Sequence, residues 1–235
     1  LPILDSGSQE DMCYYVMPYI AQGTLKDRLE SGPLSEREAE TILTPIADAL
    51  HFLHEAGFVH RDVKSSNILQ EGNHVWLADF GLVKMIDGGS DITRTGYLIG
   101  TPSYLAPELG AAQANARSDV YALGIVLYEM LTGRLPFDGR TPLDIYWKQL
   151  YEQPPLLSIS NPLVSPMIDQ VVLQALEKDP ADRYISTRAL AEAYQQALLG
   201  EPVTSSLLSR RETRGKGTST MNQAQVIKRE KRGHR

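Results

Sequence analysis

The sequence has very little cysteine, with Cys13 as the only one among its 235 residues. A single thiol cannot form an internal disulfide or a metal site built from several cysteines. Disulfide-stapled secreted folds and zinc modules of that kind are therefore excluded. This cysteine usage fits a reducing compartment, and we expect a cytoplasmic protein.

The sequence also lacks a long uninterrupted apolar segment. One of its longest apolar runs, residues 121–130, is interrupted by Glu129 and falls far short of the roughly 20 residues that a membrane span needs. The first twelve residues contain Asp5, Glu10 and Asp11, whereas the core of a secretory signal peptide is apolar. With 42% hydrophobic and 22% charged residues, the composition is that of a soluble globular protein.

Basic residues are scarce in most of the chain and concentrated at its end. Residues 1–200 carry 14 Lys and Arg against 26 Asp and Glu, whereas residues 201–235 carry 9 against 3. The acidic body argues against nonspecific binding of nucleic acid. The end is rich in Ser, Thr, Gly and Arg, so we expect residues 200–235 to be a disordered basic tail. Its last run, residues 228–235, is typical of a solvated linker or of the cytoplasmic flank of a membrane span.

Apolar spacing and capping residues predict a largely helical chain that begins with two strands. Residues 1–4 and 12–17 are the predicted strands, separated by a polar spacer that is rich in turn-forming residues. Thr24 is the predicted N-cap of a short helix, and Ser35 with Glu38 forms a capping box for a longer one. Further short strands are expected around residues 59, 68–69 and 75–78, and further helices at residues 118–131, 142–151, 166–177 and 186–199.

Three motifs follow one another in the loop-rich middle of the chain. They are His60-Arg61-Asp62 with Lys64 and Asn67, then Asp79-Phe80-Gly81, then Ala106-Pro107-Glu108. Eleven residues lie between Asn67 and Asp79, and 24 lie between Gly81 and Ala106. In form, order and spacing this set resembles the catalytic loop, the metal-binding triplet and the end of the activation segment of protein kinases.

The resemblance to protein kinases covers residues 1–199 and implies an α+β, protein-kinase-like fold. Residues 1–17 would be the last two strands of the small lobe, residues 18–23 the hinge, and residues 24–199 the mostly helical large lobe. No glycine-rich loop fits residues 1–17, and no lysine precedes Lys26. We therefore expect an N-terminally truncated catalytic domain that binds ATP poorly alone. The motifs are most similar to those of bacterial, eukaryotic-like Ser/Thr kinases.

The same resemblance implies a phosphoryl-transfer site that uses ATP and Mg²⁺. Asp62 would accept the proton of the attacking hydroxyl, and Lys64 would contact the transferring phosphate. Asn67 and Asp79 would supply oxygen ligands to Mg²⁺. Thr101, in a substrate-docking loop that resembles the Ser/Thr-specific form, would bond near Asp62 and Lys64.

The resemblance also implies where adenine would bind. Residues 14–20 look like the strand that leads into the kinase hinge. Met17 would guard the adenine pocket, Pro18 would offer its carbonyl to adenine and Ile20 its amide, and Leu69 would close the pocket from below. The alternative for this segment is an ordinary amphipathic edge strand.

Other residues of the motifs are given structural or regulatory roles by the resemblance. Asp119 would accept hydrogen bonds from the catalytic-loop backbone. Arg61 would pair with a phosphorylated activation segment, for which the phosphorylation sites would be Thr93 and Thr95. His60 would pack against Phe80, and Glu108 would form a buried ion pair with Arg183.

The leading hypothesis is a Ser/Thr protein kinase whose partners are protein substrates and a second kinase copy for autophosphorylation. A membrane would be reached only through sequence beyond residue 235, and nucleic acid is not an expected partner. The runner-up is a pseudokinase, a binding module without catalysis. Asp62, Asn67 and Asp79 argue against it, and the missing small-lobe residues keep it open. A small-molecule phosphotransferase of kinase-like fold is disfavoured by the substrate-docking loop.

Overall fold

The structure, a computed structural model, describes residues 3–9, 12–79, 84–85, 101–110 and 113–208. Within these ranges the chain forms seven α-helices and six short strands, joined by loops and 3₁₀ turns. The helices dominate, and only one two-stranded sheet precedes them, so the predicted α+β fold with a mostly helical large lobe is confirmed.

The chain begins with an antiparallel hairpin of β1 (Asp5–Gln9) and β2 (Met12–Val16), in which Asp5 lies opposite Val16. Residues 3 and 4 of the strand expected at residues 1–4 are not in a strand, because the first described strand occupies the polar spacer instead. An antiparallel partner for β2 is most directly supplied by the segment immediately before it. The ladder joins backbone groups, so polar side chains do not prevent it. Gly7 faces Tyr14 in this ladder, and a Cβ at Gly7 would lie 2.7 Å from the Tyr14 hydroxyl.

Two capped helices follow, α1 (Leu25–Leu29) and α2 (Glu36–Glu55). Each helix begins with a capping box. The N-cap hydroxyl accepts a hydrogen bond from the backbone amide of an acidic residue three positions on, and that residue's carboxylate accepts one from the N-cap amide. The pairs are Thr24 with Asp27 and Ser35 with Glu38. The two predicted N-caps are therefore confirmed. The helix α2 continues through Pro45 and ends before Gly57, which has a left-handed φ of 81°.

The core is built around α3 (Ala116–Thr132), which is buried on nearly every side. It packs against α2, α6 (Pro166–Ala175) and α7 (Thr187–Leu198). The helices α3 and α6 come so close that a Cβ on Gly124 would lie 2.9 Å from the Cβ of Ala175. This apolar cluster is the rigid base on which the loops of the site rest.

Two short hairpin-like pairs lie between α2 and α3. The strand β4 (Ile68–Glu71) pairs with β5 (His74–Leu77), and β3 (Phe58–Val59) pairs with β6 (Lys84–Met85). After α3 come α4 (Pro142–Tyr151), which was expected, and α5 (Leu157–Ser160), which was not. A helix of four residues is too short to show an apolar period.

The beginning of the expected tail is ordered. Residues 201–208 run back along α7 and include a 3₁₀ turn, Ser205–Leu207. The amide of Ile185 donates to the carbonyl of Leu207 at 3.1 Å, and Leu208 forms a bridge to Tyr184. The tail boundary at residue 200 was therefore wrong, because the apolar side chains of Val203, Leu207 and Leu208 pack against the core.

Some predicted residues lie outside the described ranges. They are residues 1–2, Phe80, Gly81, Thr93, Thr95 and all residues from 209 to 235. Among the residues that the structure describes, no helix combines the length and the apolar character needed to cross a membrane.

Candidate active site

The side chains of Asp62, Lys64 and Thr101 meet in one cluster. Lys64 Nζ donates to Asp62 Oδ2 at 2.5 Å and to the Thr101 hydroxyl at 3.2 Å. That hydroxyl donates in turn to Asp62 Oδ1 at 3.4 Å. Asp62 is only 8% exposed, so its carboxylate is held by a cation and a hydroxyl with little competition from water.

Asn67 fixes Asp62 from the other side. Its amide Nδ2 donates to the backbone carbonyl of Asp62 at 2.9 Å and to Asp62 Oδ2 at 3.0 Å. The 3₁₀ turn Ser65–Asn67 brings the two residues together within a short loop. The amide nitrogen Nδ2 is a hydrogen-bond donor and points to Asp62. The group that Asn67 can offer to a cation is therefore its side-chain carbonyl oxygen Oδ1.

Asp79 lies at the open end of the β4–β5 hairpin, beside Asn67. The amide of Ala78 donates to the carbonyl of Asn67 at 2.8 Å, so the residues that flank the two strands are opposite one another. Asp79 is exposed and has φ 63°, in the left-handed region that non-glycine residues rarely occupy. Such strain of about 1–3 kcal/mol is typical of functional sites.

The carboxylate of Asp119, at the start of α3, binds backbone amides of the loop that contains Asp62. Its Oδ2 accepts a hydrogen bond from the amide of His60 at 2.9 Å, and its Oδ1 accepts one from the amide of Arg61 at 3.0 Å. Asp119 is buried and is also bonded to His54 of α2, with Nε2 2.7 Å from Oδ2. His54 thus links α2 to the base of the loop.

Burial lowers the pKa of both residues that precede Asp62, His60 and Arg61. His60 is fully buried, and burial lowers the pKa of its imidazole although Asp119 and Asp62 favour the charged form. Arg61 has φ 72°, and burial lowers the pKa of its guanidinium while Asp119 opposes that shift. Within the described residues, the buried Arg61 Nε has no hydrogen-bond partner.

A second polar network holds the turn Pro102–Tyr104 and was missed from the sequence. The Tyr104 hydroxyl donates to Glu129 Oε2 at 2.7 Å and lies 3.0 Å from the Ser65 hydroxyl. Burial raises the pKa of both Tyr104 and Glu129. The sequence signal for this network was Glu129, an acidic residue among the mainly apolar residues 120–131. A buried carboxylate needs a hydrogen-bonding partner.

The end of the activation segment is anchored by Glu108 and Arg183. Arg183 is fully buried and meets the Glu108 carboxylate with two parallel hydrogen bonds of 2.9 and 2.8 Å. Its other donors go to the backbone carbonyls of Arg117, Glu177 and Lys178. The ion pair expected from the sequence is present, with every guanidinium nitrogen engaged.

The residues predicted to form the hinge, 18–23, lie between β2 and α1. Met17 is 41% exposed and Ile20 is buried, with Pro18 between these extremes. The end of the segment is tied to the large lobe, because the amide of Gln70 donates to the carbonyl of Gly23 at 3.1 Å and Leu69 forms a bridge with Thr24. This places Leu69 next to the exit of the hinge; its contact with adenine stays a prediction.

Comparison with known proteins gives the family. The sequence profile of the protein kinase domain matches residues 2–195. Serine/threonine-protein kinase PknB of Mycolicibacterium smegmatis is 40% identical over 190 residues, which are 77% of this chain and 30% of that protein. A probable serine/threonine-protein kinase of Streptomyces coelicolor is 40% identical over 195 residues, 81% of this chain and 29% of that protein.

A third relative is serine/threonine-protein kinase PknL of Mycobacterium tuberculosis, 40% identical over 191 residues, which are 80% of this chain and 48% of that protein. The matched segment spans less than a third of the first two relatives and about half of the third. The kinase-domain profile covers the predicted catalytic loop, the turn Pro102–Tyr104, named the docking turn below, and the helices from α1 to α6. The chain belongs to the protein kinase family, in its bacterial, eukaryotic-like serine/threonine branch.

Proposed function

We propose that the protein transfers the γ-phosphoryl group of ATP to serine and threonine hydroxyls of proteins. The observation that carries this proposal is the cluster of Asp62, Lys64, Asn67 and Thr101 around one buried carboxylate. It joins a proton acceptor, a cation and an amide within hydrogen-bonding distance, as phosphoryl transfer requires.

Each side chain of the cluster has a role in that reaction. Asp62 orients the attacking hydroxyl and accepts its proton. Lys64, bonded to Asp62, places its ammonium where negative charge develops on the transferring phosphate. Thr101 holds Lys64 and Asp62 together and borders the place where the substrate backbone would lie.

The donor set of the site fits Mg²⁺. The Asn67 carbonyl oxygen and the exposed Asp79 carboxylate are hard oxygen ligands at the same end of the β4–β5 hairpin. When bound, the metal would neutralise phosphate charge during transfer. On this proposal Met17, Pro18, Ile20 and Leu69 bind adenine, as the order of β2, hinge and α1 supports.

Regulation would act through Arg61. Its guanidinium is partly buried, and its Nε has no hydrogen-bond partner among the described residues. A phosphate on Thr93 or Thr95 would supply charge-assisted acceptors for it. Replacing both threonines by alanine should lower the rate of transfer; a double variant with unchanged activity would remove this part of the proposal.

The alternative function is a non-catalytic binding module. In that case the hydrogen bonds of Asp62 with Lys64 and Asn67 would only hold the loop in shape. The reaction is best tested on the 235-residue chain and on the full product of its gene in parallel.

The test measures transfer of radiolabelled phosphate from ATP with Mg²⁺ to a generic basic protein. Asp62→Asn should abolish transfer. Asp138→Asn, at a fully exposed carboxylate that pairs with Lys148, should leave it unchanged. An inactive but folded full-length protein would support the binding module. Activity that survives Asp62→Asn would refute the assigned role of that residue.

The broader setting is part of the same proposal. Protein substrates are the partners that follow from kinase chemistry, and a second copy of the kinase would serve as substrate in autophosphorylation. We place the reaction in the cytoplasm, where ATP and reduced cysteine are found. In a membrane-attached form, the basic run at residues 228–235 would lie at the inner face of the membrane.

A further inference from the structure

The turn Pro102–Tyr104 beside Thr101 is held from three directions. Thr101 bonds to the catalytic loop, and Tyr104 bonds to both that loop and α3. The third contact comes from α4, where Gln149 Nε2 donates to the carbonyl of Ser103 at 2.7 Å. The role of this third contact is not explained by the chemistry of phosphoryl transfer.

Gln149 is a fully buried polar residue whose orientation is fixed by its neighbours. Its Oε1 accepts a hydrogen bond from the hydroxyl of Tyr121 in α3, and its backbone carbonyl accepts one from Lys178 Nζ at 2.8 Å. Tyr121 is itself fully buried, and its ring lies 4.7 Å from the Arg183 guanidinium. With both ends of its side-chain amide engaged, Gln149 cannot turn away from Ser103 without leaving buried groups unpaired.

The same face of α4 makes a second contact with this segment. The Tyr146 hydroxyl donates to the carbonyl of Pro107 at 3.0 Å. Residues three apart lie on one side of a helix, so Tyr146 and Gln149 form one surface that holds two carbonyls of the segment. The segment between Thr101 and Gly110 therefore takes its backbone shape partly from α4.

We propose that Gln149 is a positioning residue for the protein substrate, acting through the Ser103 carbonyl on the turn that carries Thr101. The inference rests on the proposed kinase function and deepens it. Gln149 is remote in sequence from the hinge and touches neither Asp62 nor Lys64 in the described hydrogen bonds. Its loss should weaken the binding of peptide and leave the handling of ATP intact.

The main variant is Gln149→Met, which keeps the length of the side chain and removes both hydrogen bonds. In the full product of the gene, we expect its KM for a phosphorylatable serine peptide to rise about tenfold, which corresponds to about 1.4 kcal/mol. The KM for ATP and the rate of ATP hydrolysis without peptide should stay within about twofold of the unmodified protein, because those depend on the Asp62 cluster.

The matched control is Gln195→Met. Gln195 lies on α7, and its side-chain amide donates to the hydroxyl of Thr44 in α2 at 3.4 Å. We expect it to leave the KM for peptide, the KM for ATP and the rate of ATP hydrolysis unchanged. A rise in peptide KM of the same size in this control would show that the effect is general, and would overturn the proposal.

Gln149→Glu covers the case in which Gln149→Met does not fold. The carboxylate still accepts from the Tyr121 hydroxyl but replaces the donor to Ser103 by an acceptor, so the same selective rise in peptide KM is expected. An unchanged peptide KM in a folded variant, or an equal loss of ATP hydrolysis, would refute the positioning role.

Hydrogen exchange tests the contact without using catalysis. Amides in residues 101–110 should exchange faster in Gln149→Met than in the unmodified protein, while amides of α7 should not change. If the unmodified protein transfers no phosphate, the proposed kinase function fails and this exchange measurement still decides whether Gln149 holds the turn. Equal exchange in both proteins would overturn the inference.

Discussion

Arg183 and Glu108 face one another edge to edge, with Nη1–Oε1 and Nη2–Oε2 distances of 2.9 and 2.8 Å. The two residues are 75 positions apart in the sequence, and their pairing fastens the end of the activation segment to the loop after α6. The Ser118 hydroxyl adds a third donor to Glu108 at 2.8 Å. The carboxylate is therefore shared between the helical core and the segment that carries the docking turn.

Removing the Arg183 side chain should destabilise the fold severely. Arg183→Met strands the Glu108 carboxylate and three backbone carbonyls, and breaking one partner of a buried pair costs about 3–5 kcal/mol. The measurement is urea unfolding. The control is Arg188→Met, whose ion pair with Asp48 is half exposed and should cost no more than about 1 kcal/mol. Equal losses in both variants would contradict the assignment.

Replacing Asp119 should impair catalysis beyond its effect on stability. In Asp119→Asn one acceptor oxygen becomes an amide NH2 group, a donor that faces the backbone N–H groups of the loop, so we expect kcat to fall at least about tenfold. Asp169→Asn is the matched control. Asp169 is also buried and accepts from Leu157 and Ser158, far from the loop. It should lower the unfolding free energy and leave kcat unchanged; a similar fall in kcat would argue against a specific role for Asp119.

The close contact of α3 and α6 gives a test of packing. Alanine normally stabilises a helix relative to glycine by about 1 kcal/mol. At Gly124 the added methyl would lie 2.9 Å from Ala175 and 3.1 Å from Leu176, so Gly124→Ala should instead destabilise by about 1–3 kcal/mol. Adding Ala175→Gly should recover part of the loss in a double-mutant cycle. Strictly additive losses would mean that the two residues do not meet.

Lys178 should give the protein an unusual stability profile at alkaline pH. Burial, with a contribution from Arg183, lowers the pKa of Lys178 from 10.5 to about 8. Between these values the unfolded chain holds a proton that the folded protein has released, so the unfolding free energy rises with pH. Relative to Lys178→Met, the unmodified protein should gain stability between pH 8 and 10. Parallel pH profiles of the two proteins in urea unfolding would disprove the shift.

The parts of the fold that were predictable are those that local chemistry determines. The caps of α1 and α2 follow from a hydroxyl and an acid three residues apart, and α3 follows from the largely apolar residues 118–131 before Gly133. The strand β1 was misplaced because pairing with β2 depends on backbone position, not on apolar side chains.

The parts of the site that were not predictable depend on residues distant in the sequence. Asp62, Lys64 and Asn67 stand together in one motif, and their meeting in the structure follows from a short loop. Gln149 gives no such local signal, because its partners Ser103 and Tyr121 lie 46 and 28 residues away. A buried polar side chain on a helix is visible in the sequence only as a break in the apolar pattern.

The helix α3 serves the core and the site at the same time. Its apolar residues are buried on nearly every side, while Asp119, Tyr121 and Glu129 each engage a different part of the site. The apolar positions of α3 therefore need side chains of a particular volume, and its three polar positions also need particular hydrogen-bonding groups. In a library of random single substitutions, α3 should tolerate the fewest replacements, and accepted changes should accumulate instead on the exposed faces of α2, α4 and α7.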